Sequence, residues 1–159
     1  MTTHLKGEAL AKRVLASHWD GALPVDIAHL CAACGLPAFW MPERVMGHVA
    51  DIQTRGGKTR LYLAKDEPLI RQRYAAAHAL GAFLSDPSGQ AKSFGLPDYS
   101  ATEETLENAF AKALLMPPQA MDLAIKAQGS GPDAIGRLAS LMEVSEVALA
   151  ARLSQLGII

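Results

Sequence analysis

Apolar residues recur at helical spacing over residues 4 to 17, where Leu5, Ala9, Leu10, Ala11, Val14 and Leu15 share a face, and the run ends near Gly21. A second helix is expected over about 25 to 34, with Pro24 at its start and Gly35 where a C-terminal cap belongs. From Ala38 to Leu63 the period changes. Phe39-Trp40-Met41, the run from Gly47 to Thr54, and Thr59-Arg60-Leu61-Tyr62-Leu63 read as three short strands, the last two joined by a hairpin at Gly56-Gly57. The expectation is a small three-stranded antiparallel sheet.

Helical patterning resumes over about 68 to 84 and again from Thr102 to Leu115, where Met116-Pro117-Pro118 stops it. Between them, residues Ser85 to Ser100 are rich in Gly, Pro, Ser and Asp and are expected to form the mobile rim of any cleft. Helices five to seven fill the remainder, broken at Gly129-Ser130-Gly131-Pro132 and near Val144-Ser145. The fold class is α+β. At 159 residues, half of them apolar, the chain suits one domain spanning 1–159, with helix-turn-helix-like helices at about 131–156 packed on it.

A net charge of −1 gives no electrostatic reason to seek nucleic acid or a membrane. The first residues lack the apolar stretch of a secretory signal, and no run approaches the roughly 18 apolar residues of a membrane span, so a cytoplasmic protein is expected. Cys31 and Cys34 form a lone C-x-x-C on an alanine-rich helix. A structural zinc site would need a second ligand pair, and the bland reading of two reduced, packed thiols is preferred.

Chemistry concentrates in the third helix, Arg71-Gln72-Arg73-Tyr74-Ala75-Ala76-Ala77-His78-Ala79-Leu80-Gly81-Ala82. In the zinc-peptidase pattern H-E-x-x-H, histidines at i and i+4 leave one helix face and grip a single Zn²⁺ while the glutamate activates the metal-bound water. Here Ala79 stands at the glutamate and Ala82 at the second histidine. On the fourth helix, Glu103-Glu104-Thr105-Leu106-Glu107-Asn108-Ala109-Phe110-Ala111 could supply the carboxylate that completes such a site.

Together, Arg71-x-Arg73-aromatic before Ala-His78-x-Leu-Gly, followed by Glu104-x-x-x-Asn108-x-Phe110-Ala111 ahead of Leu114-Leu115-Met116-Pro117, resembles the ImmA/IrrE family of metallo-endopeptidases over nearly the whole chain. The resemblance implies a zincin-like zinc endopeptidase acting on a helix-turn-helix repressor or antitoxin. It makes His78 the first metal ligand and Glu104 the ligand from the second helix, with Arg71, Arg73, Glu107 and Asn108 as cleft or partner-binding candidates. Two departures, Ala79 and Ala82, remove the general base and a ligand; Ala75 and Glu107 depart from the family pattern without touching the chemistry. A three-ligand zinc site is worth on the order of 10 kcal/mol, so losing a ligand leaves zinc absent or weakly bound. Losing the base costs a further factor of about 10² to 10⁴ in rate.

As written, the sequence is expected to be catalytically inactive, either as a natural pseudoenzyme or as an inactivated variant. His48 and Glu107 are conceivable substitute ligands; Glu103 points about 100° away from Glu104 around the helix. His4, His18 and His29 have no ligand spacing. An alternative function is a non-enzymatic interaction protein or the toxin component of a toxin-antitoxin pair. Direct DNA binding through the C-terminal helices is not expected, because the candidate recognition helix offers only Arg152 against Glu143 and Glu146.

Overall fold

Short polar caps and glycines set most of the element boundaries. The structure, a computed structural model, describes residues 2–41, 48–86, 92–94, 105–129 and 131–159, with backbone alone for 92–94. Helix α1 (Thr3–His18) begins where the Thr2 hydroxyl accepts the N–H of Leu5, and α2 (Ile27–Ala33) where Asp26 accepts that of His29. The second helix thus starts after its aspartate rather than directly after Pro24. Its end follows expectation: Gly35 takes a φ of 88°, and the N–H groups of Gly35 and Leu36 bond back to the carbonyls of Ala32 and Cys31.

Strands β1 (Ala38–Met41), β2 (Ala50–Arg55) and β3 (Lys58–Ala64) correspond to the three expected extended runs. Gly56 and Gly57, both at positive φ, turn the β2–β3 hairpin. The sheet is nevertheless mixed, not purely antiparallel, with order β1-β3-β2-β4. Because the tight hairpin leaves β1 only an outer edge, β1 joins on the β3 side, and alternation of chain direction makes that pair parallel. A fourth strand, β4 (Lys92–Phe94), pairs antiparallel with β2 inside the segment read as loop. Three residues are too few for an alternating pattern to register.

One sheet face rests on α3 (Leu69–Ser85), with Ala50, Ile52, Leu61 and Leu63 buried in the core. Across α3 lies α4 (Leu106–Leu115), flanked on its other side by α1. Both approaches are close. A Cβ on Gly7 of α1 would sit 2.7 Å from Ala109 Cβ and from the Leu106 carbonyl, and one on Gly81 of α3 would sit 2.8 Å from the Phe110 ring. The expected first turn of α4, Thr102 to Glu104, lies outside the described residues; the described helix is capped by Thr105.

After Met116, α5 (Pro118–Gln128) starts with proline in its first turn, and α6 (Ala134–Met142) and α7 (Glu146–Gln155) follow. The α+β class holds, with seven helices and a small sheet among the described residues. No described helix is long and apolar enough to cross a membrane. Arg152 of α7 is fully buried, pairing with Glu8 of α1 and donating from Nε to the Met116 carbonyl at 3.2 Å. The one cation of the candidate recognition helix is therefore spent inside the protein.

Candidate functional site

Helix α3 carries a run of small residues, Ala75, Ala76, Ala77 and Ala79, all buried, so neighbouring helices approach its backbone closely. On α4, the Thr105 hydroxyl accepts the N–H of Asn108 at 3.1 Å and fixes the first turn. Asn108 then faces α3. Its Oδ1 lies 2.9 Å from His78 Nδ1, and its carbonyl accepts a long hydrogen bond from the Tyr74 hydroxyl at 3.5 Å. Tyr74 and His78 stand at i and i+4, so both reach the same asparagine from one face of α3.

The amide oxygen can only accept, so Nδ1 of His78 carries the proton and Nε2 carries the lone pair. That is the tautomer in which a histidine offers Nε2 as a ligand or base, with the other nitrogen oriented by a neighbour. Burial pushes the imidazole pKa below its ordinary value, opposed by the Asn108 hydrogen bond and by the nearby Glu107 carboxylate. His78 is therefore half-buried, oriented and neutral at neutral pH.

The described positions next to it on α3 are apolar. Ala79 is 0% exposed and Ala82 6% exposed, so methyl groups stand, packed in the interior, where the pattern has a base and a ligand. Glu103 and Glu104 lie outside the described residues. His48 is half-buried at a strand bridge ahead of β2, and Glu107 is half-buried on the first turn of α4. Among the described residues, no three His, Cys, Asp or Glu side chains come together as a metal-holding group. Among the described residues alone, one imidazole, one neighbouring carboxylate and two methyl groups fall short of the donor set of a zinc site, and Glu104 is not among them.

The two arginines diverge. Arg73 is buried and turned toward α6: Nε donates to the Glu143 carbonyl at 3.3 Å and Nη2 to that of Met142 at 3.5 Å, with the Glu143 carboxylate 3.4 Å away. It closes the C-terminal end of that helix, where a cation is favoured. Burial lowers its pKa against the opposing pull of Glu143 and then Asp26. Arg71 is exposed and pairs with Glu67 one turn earlier, at 3.5 Å. Both arginines are thus engaged away from Asn108, whereas Tyr74, which entered the sequence reading only as the aromatic after Arg73, bonds to it; its place four residues before His78 is the signal that could have found it.

Gln72 was equally silent in the sequence. Its amide nitrogen donates to the carbonyls of Lys65 and Glu67 while its oxygen accepts the Trp40 indole N–H at 2.8 Å, pinning the start of α3 to the sheet. Cys31 and Cys34 are free thiols at the end of α2. Burial, and for Cys31 the neighbouring Cys34, pushes the Cys31 pKa up to about 12, and burial raises that of Cys34. A raised thiol pKa is the opposite of what a nucleophilic C-x-x-C needs.

With this geometry, the model of the IrrE N-terminal-like domain of the peptidase M78 family matches residues 41–154, which takes in β2, β3, α3 and α4. No curated protein matches the chain.

Proposed function

The chain belongs to the IrrE N-terminal-like family of peptidase domains, a zinc metallopeptidase family, and from that premise we propose that it is a binding member of the family: it holds a helix-turn-helix repressor or antitoxin without cutting it. One observation carries the reading. His78 keeps its orienting partner, Asn108, at 2.9 Å, while the neighbouring positions of base and second ligand are buried methyl groups. The frame persists and the proton acceptor does not. Peptide hydrolysis needs a group to take a proton from water, a contribution of about 10² to 10⁴ in rate, and the His78 site has no carboxylate at position 79 to do so. Zinc is absent or weakly held here for the same reason, since one of three protein ligands is gone.

The test pairs metal content with cleavage. The protein as written, purified without chelator and exposed to a slight excess of Zn²⁺, retains well under one zinc per chain and leaves a repressor encoded beside it intact while co-eluting with it. Ala79→Glu with Ala82→His binds zinc and cleaves that repressor. Tight stoichiometric zinc together with cleavage by the unaltered chain would overturn the reading, and so would failure to bind the repressor at all.

A further inference from the structure

Strand β1 is the outermost described strand on its side of the sheet. In a parallel ladder alternate residues bond the neighbouring strand. The Pro37 carbonyl accepts the Leu61 N–H at 2.9 Å and the Met41 carbonyl accepts the Lys65 N–H at 2.8 Å, so residues 37, 39 and 41 face β3. The N–H and C=O groups of Ala38 and Trp40 consequently point away from it, and the sheet has no described strand beyond β1. Aromatic rings flank this edge. Phe39 and Trp40 are each 43% exposed, on opposite faces of the sheet, and the Trp40 indole is held by Gln72. The Arg60 guanidinium lies 5.3 Å from the Phe39 ring centroid, and the Tyr62 ring packs 6.0 Å away.

The local charge is positive. Arg55, Lys58 and Arg60 project from β2 and β3, the single acid of these strands, Asp51, is buried, and just past β3 exposed Lys65 and Asp66 offset each other. In a chain of net charge −1 this is a local excess. We propose that the outer edge of β1 takes an extended, acidic segment of a partner protein as an added strand. Main-chain bonds to Ala38 and Trp40 provide the pairing, alternate side chains lie on Phe39 and Trp40, and acidic side chains meet Arg60 and Lys58. A nucleic acid has no alternating N–H and C=O ladder to match this edge, and a second copy offers no acidic strand of its own to meet Lys58 and Arg60, since β1 carries no acid. The surface uses no residue of α4 and stands independently of the reading given to His78.

An acetylated, amidated peptide of alternating glutamate and valine is the probe, titrated into the full chain at low salt and followed by backbone amide shifts and hydrogen exchange. It binds with a Kd of about 1 mM or tighter, and the Ala38 and Trp40 amides gain protection. Ala38→Pro removes one outward donor but none of the bonds to β3, and weakens binding by about 5- to 10-fold with the fold retained. Lys58→Glu with Arg60→Glu weakens it by about 3- to 10-fold. If Ala38→Pro does not fold, amide protection in the unaltered protein decides. The proposal is overturned if the acidic peptide does not bind, if a lysine–valine peptide binds as well, if Trp40 gains no protection, if a thymidine oligonucleotide competes for the same residues with an affinity that Ala38→Pro leaves unchanged, or if the edge instead forms a dimer that Ala38→Pro abolishes.

Discussion

The space that a methyl group at Gly81 would need is filled by the ring of Phe110, whose Cδ1 lies 2.8 Å from where that carbon would stand. The contact joins the two helices of the candidate site, and it involves the glycine of the Ala-His-x-Leu-Gly pattern. Gly81→Ala should destabilise the protein by about 1–3 kcal/mol through overpacking, and Phe110→Ala by about 3–5 kcal/mol through the cavity it leaves. Combined with Phe110→Leu, Gly81→Ala should cost less than the sum of the single changes. Urea unfolding of the variants measures this; strict additivity would show that the two residues do not share a packing constraint.

Asn108 sets the state of His78. Removing it as Asn108→Ala takes away a hydrogen bond that favours the protonated ring, so the His78 pKa should fall further. Glu107→Gln should move it the same way. Imidazole nitrogen shifts followed across pH report both the pKa and the tautomer, and an unchanged Nδ1–H signal in Asn108→Ala would remove the asparagine from this role.

The depressed pKa of His78 links folding to pH. Its folded value lies below the unfolded value near 6.5, so between the two the unfolded chain binds more protons and stability rises with pH. The contribution is fully present above the unfolded value and is lost as pH falls through the folded one. Denaturation midpoints from neutral to acidic pH should therefore fall less steeply in His78→Gln than in the parent. Parallel curves would refute the assignment.

Arg152 should tolerate removal badly and joint replacement well. Alone, Arg152→Ala leaves half-buried Glu8 with only His4, 3.7 Å away, to offset its desolvation and frees the Met116 carbonyl, a loss of about 2–4 kcal/mol. Arg152→Met with Glu8→Leu should recover most of that, because the desolvation of both charges disappears with the pair. Thermal melts of the single and double variants distinguish the outcomes; a double variant as unstable as the single would place the cost in packing instead.

Native-state alkylation should label Cys34 slowly and Cys31 more slowly still, with both reacting at ordinary rates once denaturant is added. Burial lowers the access and the thiolate fraction of Cys31 together. Rapid modification of Cys31 in the folded protein would contradict its placement.

Much of this architecture was readable in the chain because local rules govern it: the Gly56-Gly57 hairpin, the Gly35 helix end and the stop at Pro117-Pro118 each follow from backbone preferences of the residues at the spot. Long-range choices were not. Nothing in Ala38–Met41 says on which side of the hairpin the strand will join, which is why its parallel pairing was missed. The site divides in the same way. The spacing of His78, Ala79 and Ala82 was legible as a motif and its gaps, and Tyr74 shares the helix face of His78 and Ala82, but the Asn108 contact spans 30 positions and Arg73's turn toward Glu143 spans 70. The first is a tertiary contact that the resemblance only hinted at. The second depended on where α6 would end.

The pairing of half-buried Glu8 with buried Arg152 has a consequence for synthesis on the ribosome. The two residues are 144 positions apart, so the acid emerges early and its cation only after almost all of the intervening chain has been made. Until then α1 lacks the electrostatic contact that anchors it to α7, and the surface of α4 against which Gly7 packs has itself not been translated when Glu8 appears. A nascent chain stalled before residue 152 should therefore remain protease-sensitive at its N-terminal helix. A recombinant fragment trimmed to residues 41–154 would keep the buried cation and discard its acid.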